Sequence, residues 1–174
     1  MRVPLLEDRE EDGRAAVADA DEARMAEAVC LDRQGRELWS RPLCGPRSGA
    51  QLTIGDLDPS PGLEMVTAGA TAGLASTTLQ VWSATGQVLD SIDLAEGPRA
   101  MTLLPDKEGA QADILLGTDT RNVWQFRYED SSLKPVRRTR LPGSPIVVCR
   151  LPVSGHFLFQ TSSFHYIILD RNLG

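Results

Sequence analysis

Read for its hydrophobic and polar positions, the chain is a succession of short apolar runs separated by clusters of glycine, proline, aspartate and serine. Residues 50–54, 64–68, 78–83 and 88–94 are rich in valine, isoleucine, leucine, threonine and tryptophan, and turn formers bound them. Runs of that length and composition predict four β-strands. Residues 14–29, rich in alanine, glutamate and methionine, favour a helix by propensity alone. Propensity is a weak prior against a repeat, so residues 15–18 and 28–31 are read as strands. The acidic stretch between them is left as a helical turn or an unstructured link.

The repeat is visible by eye. The segment from Cys30 to Leu43 aligns without gaps on the segment from Val81 to Leu94, with glycine, leucine, serine and leucine matching at a shift of 51. Gly-Pro-Arg follows each copy, at 45–47 and at 97–99, and Gly35 and Gly86 mark tight hairpin turns. Val123-Trp124 repeats Val81-Trp82, and Leu141-Pro-Gly-Ser-Pro145 stands where Leu94-Ala-Glu-Gly-Pro98 stood. Four strands per unit of about fifty residues, joined by Gly-Pro connectors, describe an all-β fold of propeller blades. Division of 174 residues by that period gives about three and a half blades: units 1–44, 45–95, 96–142 and an incomplete 143–174. Propellers close with about four to eight blades. The expectation is therefore a segment of a larger ring, its remaining blades supplied by the same or another chain.

One loop offers chemistry. Before the second strand of the second unit stands Gly55-Asp56-Leu-Asp58-Pro-Ser60-Pro-Gly62-Leu-Glu64, with oxygen-bearing side chains at alternating positions of a turning segment. Such side chains converge on a point, the arrangement that a hard cation such as calcium requires. The frame recurs as Asp8-Arg-Glu10-Glu-Asp12-Gly13, and in eroded form from Pro105 to Asp113. A frame D-x-D-x-D-G-x-x-[DE] leading into an apolar strand resembles the calcium loop of FG-GAP and VCBS-type propeller repeats, the kind found in integrin α heads and bacterial surface proteins. That resemblance implies calcium ligands at Asp56, Asp58, Ser60 and Glu64, and at Asp8, Glu10 and Asp12. Ser60 replaces an acid, Pro61 stands at the turn glycine, and Ala16 replaces the last acid of the other loop. Lost carboxylates place affinity on the order of 10⁻⁴–10⁻³ M or abolish it. The alternative is a retained turn in which Asp56 and Asp58 bond nearby backbone amides.

Composition narrows the rest. Lysine and arginine total 18 against 24 for aspartate and glutamate, a net charge of -6, so the basic surface that dominates nucleic-acid binding is absent overall. No apolar run approaches the roughly 20 residues of a membrane helix. The first residues lack the basic-then-apolar order of a signal peptide. Lys134, Arg137, Arg138 and Arg140 form a basic run, either a protected edge strand or a contact for an anionic partner. Trp39, Trp82 and Trp124 suit packing between blades or stacking on a sugar or quinone. Cys30 and Cys149 read as small core residues, and Cys44 lies in a connector. His156 and His165 have no clustered carboxylate to support acid-base work.

These features point to a non-enzymatic β-propeller scaffold or recognition module for a protein or glycan. Calcium is the one cofactor implied, and a secreted or cell-surface setting follows from the resemblance alone. Two other readings stay open: the propeller of an enzyme, such as a polysaccharide lyase or quinone-dependent dehydrogenase, and an intracellular trafficking or ciliary scaffold.

Overall fold

The structure is a computed structural model, and it describes residues 25–46, 50–58, 62–70, 77–105, 111–151 and 156–170. The expected strand at 15–18 and the residues Asp8, Glu10, Asp12 and Ser60 lie outside these. The described chain is all-β. Strands β1 (Met25–Leu31) and β2 (Glu37–Pro46) form one antiparallel pair. The next sheet runs β3 (Gln51–Gly55), β4 (Glu64–Ala70), β5 (Thr77–Trp82) and β6 (Val88–Leu94). A second four-stranded sheet follows with β7 (Pro98–Pro105), β8 (Ala112–Thr118), β9 (Asn122–Glu129) and β10 (Ser132–Arg140). The last holds β11 (Pro145–Arg150), β12 (Phe157–Thr161) and β13 (Tyr166–Leu169). Within each sheet, strands consecutive in sequence pair, always antiparallel.

The sheets pack side by side. The first strands β3, β7 and β11 touch in succession, and the outer strands β6 and β10 meet. That radial order makes the chain a segment of a β-propeller, its sheets the blades.

Local chemistry explains the regularity. Pro98 and Pro145 each open a first strand, a position where the missing N–H costs no ladder bond. The two turns expected from glycine superpose in their hydrogen bonds. Asp32 N–H donates to the Arg36 carbonyl at 2.9 Å, and Ser83 N–H donates to the Gln87 carbonyl at 2.8 Å. Gly35 and Gly86 hold φ of 79° and 75° there, a region glycine enters without a Cβ penalty. The shift-51 repeat is thus a repeat of structure: β1–β2 corresponds to β5–β6.

Strand β8 is buried along its whole length because blades cover both of its faces. Ile114 and Leu116 join Val66, Leu79, Val81 and Phe126 between the second and third blades. Leu115 on the opposite face joins Phe157, Phe159 and Leu169 between the third and fourth. Each fully buried aliphatic or aromatic side chain contributes about 1.5–3 kcal/mol by leaving water, so these two layers hold the blades in order.

Three expectations need correction. Trp82 is the last residue of β5, opposite Met65, whereas Trp124 lies near the start of β9, opposite Leu116. The Val-Trp sequence match is therefore not a structural equivalence. Cys149 is exposed, because β11 turns that side chain away from the third blade, and Cys30 is half-buried beside a cavity. The tryptophans do serve packing: Trp39 lies over Gly86 and donates its indole N–H to the Ala84 carbonyl at 3.1 Å, tying the first blade to the second. The basic run falls on β10, the edge of its sheet.

Candidate functional site

The loop between β3 and β4 carries the expected cation ligands. Glu64 is 5% exposed, and its Oε2 accepts the Leu57 N–H at 2.9 Å, so this carboxylate braces its own loop. Asp56 is exposed, and its carbonyl accepts the Ala112 N–H at 2.9 Å, linking the loop to the third blade. Asp58 is half-buried. Among the described residues no three His, Cys, Asp or Glu side chains gather closely enough to hold a metal. The negative charge of this region is felt at Tyr128. Burial raises its phenol pKa, the Ser131 hydrogen bond opposes the rise, and the carboxylates of Asp58, Asp90 and Glu64 add to it.

At the other end of the blades, the residues between β6 and β7 carry a buried acid that pattern reading missed. Glu96 is 8% exposed and gathers donors from four side chains. The Thr118 hydroxyl and the Asn122 amide donate to it, as do the Trp124 indole N–H at 3.1 Å and the Arg138 guanidinium at 2.9 Å. Its backbone carbonyl accepts the Thr77 hydroxyl of the second blade. Burial pushes the Glu96 carboxyl upward, but hydrogen bonds from Thr118, Thr120, Trp124 and Asn122 outweigh it and hold the pKa below the ordinary value of 4.5. Arg138 also lies 4.9 Å over the Trp124 ring, a cation–π contact.

This clasp supports a turn whose partner recurs one blade later. The β8–β9 turn runs Thr118-Asp-Thr-Arg121-Asn122, and the β12–β13 turn runs Thr161-Ser-Ser-Phe164-His165. In each, the fourth residue donates its N–H to the threonine carbonyl, at 3.3 Å for Arg121 and 3.0 Å for Phe164. Each threonine is fully buried. Both turns reach the linker between β10 and β11. Leu141 N–H donates to the Arg121 carbonyl at 2.7 Å, Ser144 Oγ–H to the Asp119 carbonyl at 2.7 Å, and Ser162 N–H to the Ser144 carbonyl at 2.8 Å. Residues 118–122, 141–144 and 161–165 therefore form one continuous surface.

Two side chains stand out on it. Arg121 and Phe164 hold φ of 70° and 58°, the left-handed region that costs an ordinary residue about 1–2 kcal/mol. Both are exposed, Phe164 at 83%. Arg140 pairs across the strand with Asn122, next to Arg121, and is also exposed. Neither Arg121 nor Arg140 has an ion-pair partner among the described residues.

A third feature is an apolar cavity of about 410 Å³ between β1 and β3, lined by Val29, Leu31, Leu52, Ile54 and Leu63 among others. His165 is exposed.

No family model matches the chain, and no curated protein sequence matches it. Solved structures that resemble it include Sqt1 of Saccharomyces cerevisiae, with a TM-score of 0.60 and 14% identity, over 81% of this chain and 45% of that one. The chain spans less than half the length of Sqt1. At that identity the likeness shows the fold alone, a β-propeller.

Proposed function

We propose that this chain is a non-enzymatic scaffold segment that presents the ends of its blades to a partner protein. The observation that carries this reading is how its buried acids are used. Glu64, Glu96 and Asp113 each accept hydrogen bonds that fix a loop, a linker or a strand, Asp113 from Gln125 at 2.6 Å and from Arg127 at 2.8 Å. Every fully enclosed side-chain nitrogen or oxygen among the described residues has a partner. General acid–base work needs a group poised to exchange a proton with substrate, and these carboxylates are consumed in holding the fold. The open surfaces carry exposed aromatic and arginine side chains, types enriched at protein interfaces, beside exposed aliphatic ones. A glycan would need several free hydrogen-bonding groups around an aromatic platform, and the Trp39 indole N–H beside the cavity is already bonded to Ala84.

The test is a photo-reactive residue introduced in turn at Leu63, Leu89 and Phe164, all exposed. A protein adduct at one of these positions, competed away by excess unlabelled chain, is the expected result. No adduct at any of them would overturn the proposal, and binding on an oligosaccharide array would put a glycan in the partner's place.

A further inference from the structure

We infer that the surface made by the β8–β9 turn, the linker at 141–144 and the β12–β13 turn binds an acidic, extended segment of a partner protein through Arg121, Arg140 and Phe164. The inference rests on the scaffold reading and names the surface and the partner chemistry. Its first support is conformational. Two successive blades place a large exposed side chain at a positive φ, in turns with the same threonine hydrogen bond. An Arg or Phe held there is strained without gaining burial, and backbone strain of this kind clusters at binding sites.

The second support is charge. The chain carries a net charge of -6, yet Arg121, which precedes Asn122, and Arg140, which pairs with Asn122, have no carboxylate paired to them among the described residues. Two nearby acids are held by the fold: Glu96 by its donors, Arg138 among them, and Asp119 by the Gly97 N–H at 2.9 Å. Two guanidinium groups with no ion-pair partner among the described residues match carboxylates, which arginine binds through paired N–H donors. Phe164, one blade along and joined through the linker, supplies an apolar contact. A long polyanion would meet the negative charge of the rest of the chain, so a short acidic peptide fits better than a nucleic acid.

The experiment is fluorescence anisotropy of the full chain with a fluorescein-labelled peptide in which glutamates flank a leucine. A serine-for-glutamate peptide and a single-stranded oligonucleotide of matched charge are run beside it. Arg121→Asn and Phe164→Asn should each weaken binding by about tenfold without lowering the melting temperature, because asparagine tolerates the left-handed region. Arg33→Asn, at the β1–β2 turn, should leave binding unchanged. Failure of the acidic peptide to bind, binding by both variants as tight as by the native chain, or tighter binding of the oligonucleotide would overturn the inference. Photo-cross-linking separates this failure from that of the scaffold reading. Protein adducts at Leu63 or Leu89 but not at Phe164 sink the present inference alone, and adducts nowhere sink both.

Discussion

The β1–β2 and β5–β6 turns and the β8–β9 and β12–β13 turns solve one problem differently. All four reverse the chain in a few residues, and all four hold a residue at positive φ. The first pair use Gly35 and Gly86, which enter that region freely. The second pair use Arg121 and Phe164, which do not. The β9–β10 turn places Asp130 and Ser131 at φ of 52° and 59°, so glycine is one solution among several, and Arg121 and Phe164 are the bulkiest residues held there. The costly turns also differ from one another. The Arg121 turn is braced by Glu96, whereas in the next linker Gly143 lies against Thr161 with no room for a side chain.

Removing that brace should give the largest effect. Glu96→Ala leaves the Thr118 hydroxyl, the Asn122 amide and the Trp124 indole N–H without their common acceptor. Buried donors stripped of their partner predict a loss of about 2–4 kcal/mol, read as a fall in the urea midpoint. A change below about 0.5 kcal/mol would mean that the two costly turns are equally self-sufficient.

The same carboxyl sets an acid limit. Its folded pKa lies below the ordinary 4.5, so its contribution is fully present above that value and is lost as pH falls through the folded pKa. Denaturation of the native chain and of Glu96→Gln should differ at neutral pH and converge in acid. Parallel curves down to the acid limit would place the proton elsewhere.

The glycine turns can be set against each other. A side chain at residue 86 would come within 2.8 Å of the Trp39 ring, while one at residue 35 meets nothing within 4 Å. Gly86→Ala should cost about 2–3 kcal/mol, strain plus displaced packing, and Gly35→Ala about 1 kcal/mol of strain alone. Equal costs would show that Trp39 yields freely and that the first blade is loosely held.

Much of this comparison could be read from residue order, and part of it could not. The alignment of the segment from Cys30 with that from Val81 located two hairpins and their turn glycines, because glycine at a fixed offset reports backbone conformation directly. Prolines 98 and 145, read as connectors, prove to be the opening residues of first strands, because a missing N–H is tolerated there. Trp82 and Trp124 misled, because a dipeptide match does not fix register between strands of unequal length. Glu96 was illegible, since its four donors come from β8, β9 and β10 and meet only after folding. Arg121 and Phe164 were hidden because neither residue type advertises a positive φ. The signal they left is the frame of Thr118 to Arg121 repeated from Thr161 to Phe164, a threonine three places ahead of the strained residue.

The smallest effect is also the one with the opposite sign. Phe164→Asn removes a side chain that is 83% exposed, so little packing is lost. Asparagine enters the left-handed region at lower cost. Stability should therefore rise by about 0.5–1 kcal/mol, seen as a higher urea midpoint with an unchanged slope. Arg121→Asn should follow in the same direction by a smaller margin, because the Glu96 clasp already fixes the turn it sits on. A loss of stability in both would mean that these side chains support the turns, and the contrast with Gly35 and Gly86 would then reflect packing instead of a use outside the fold.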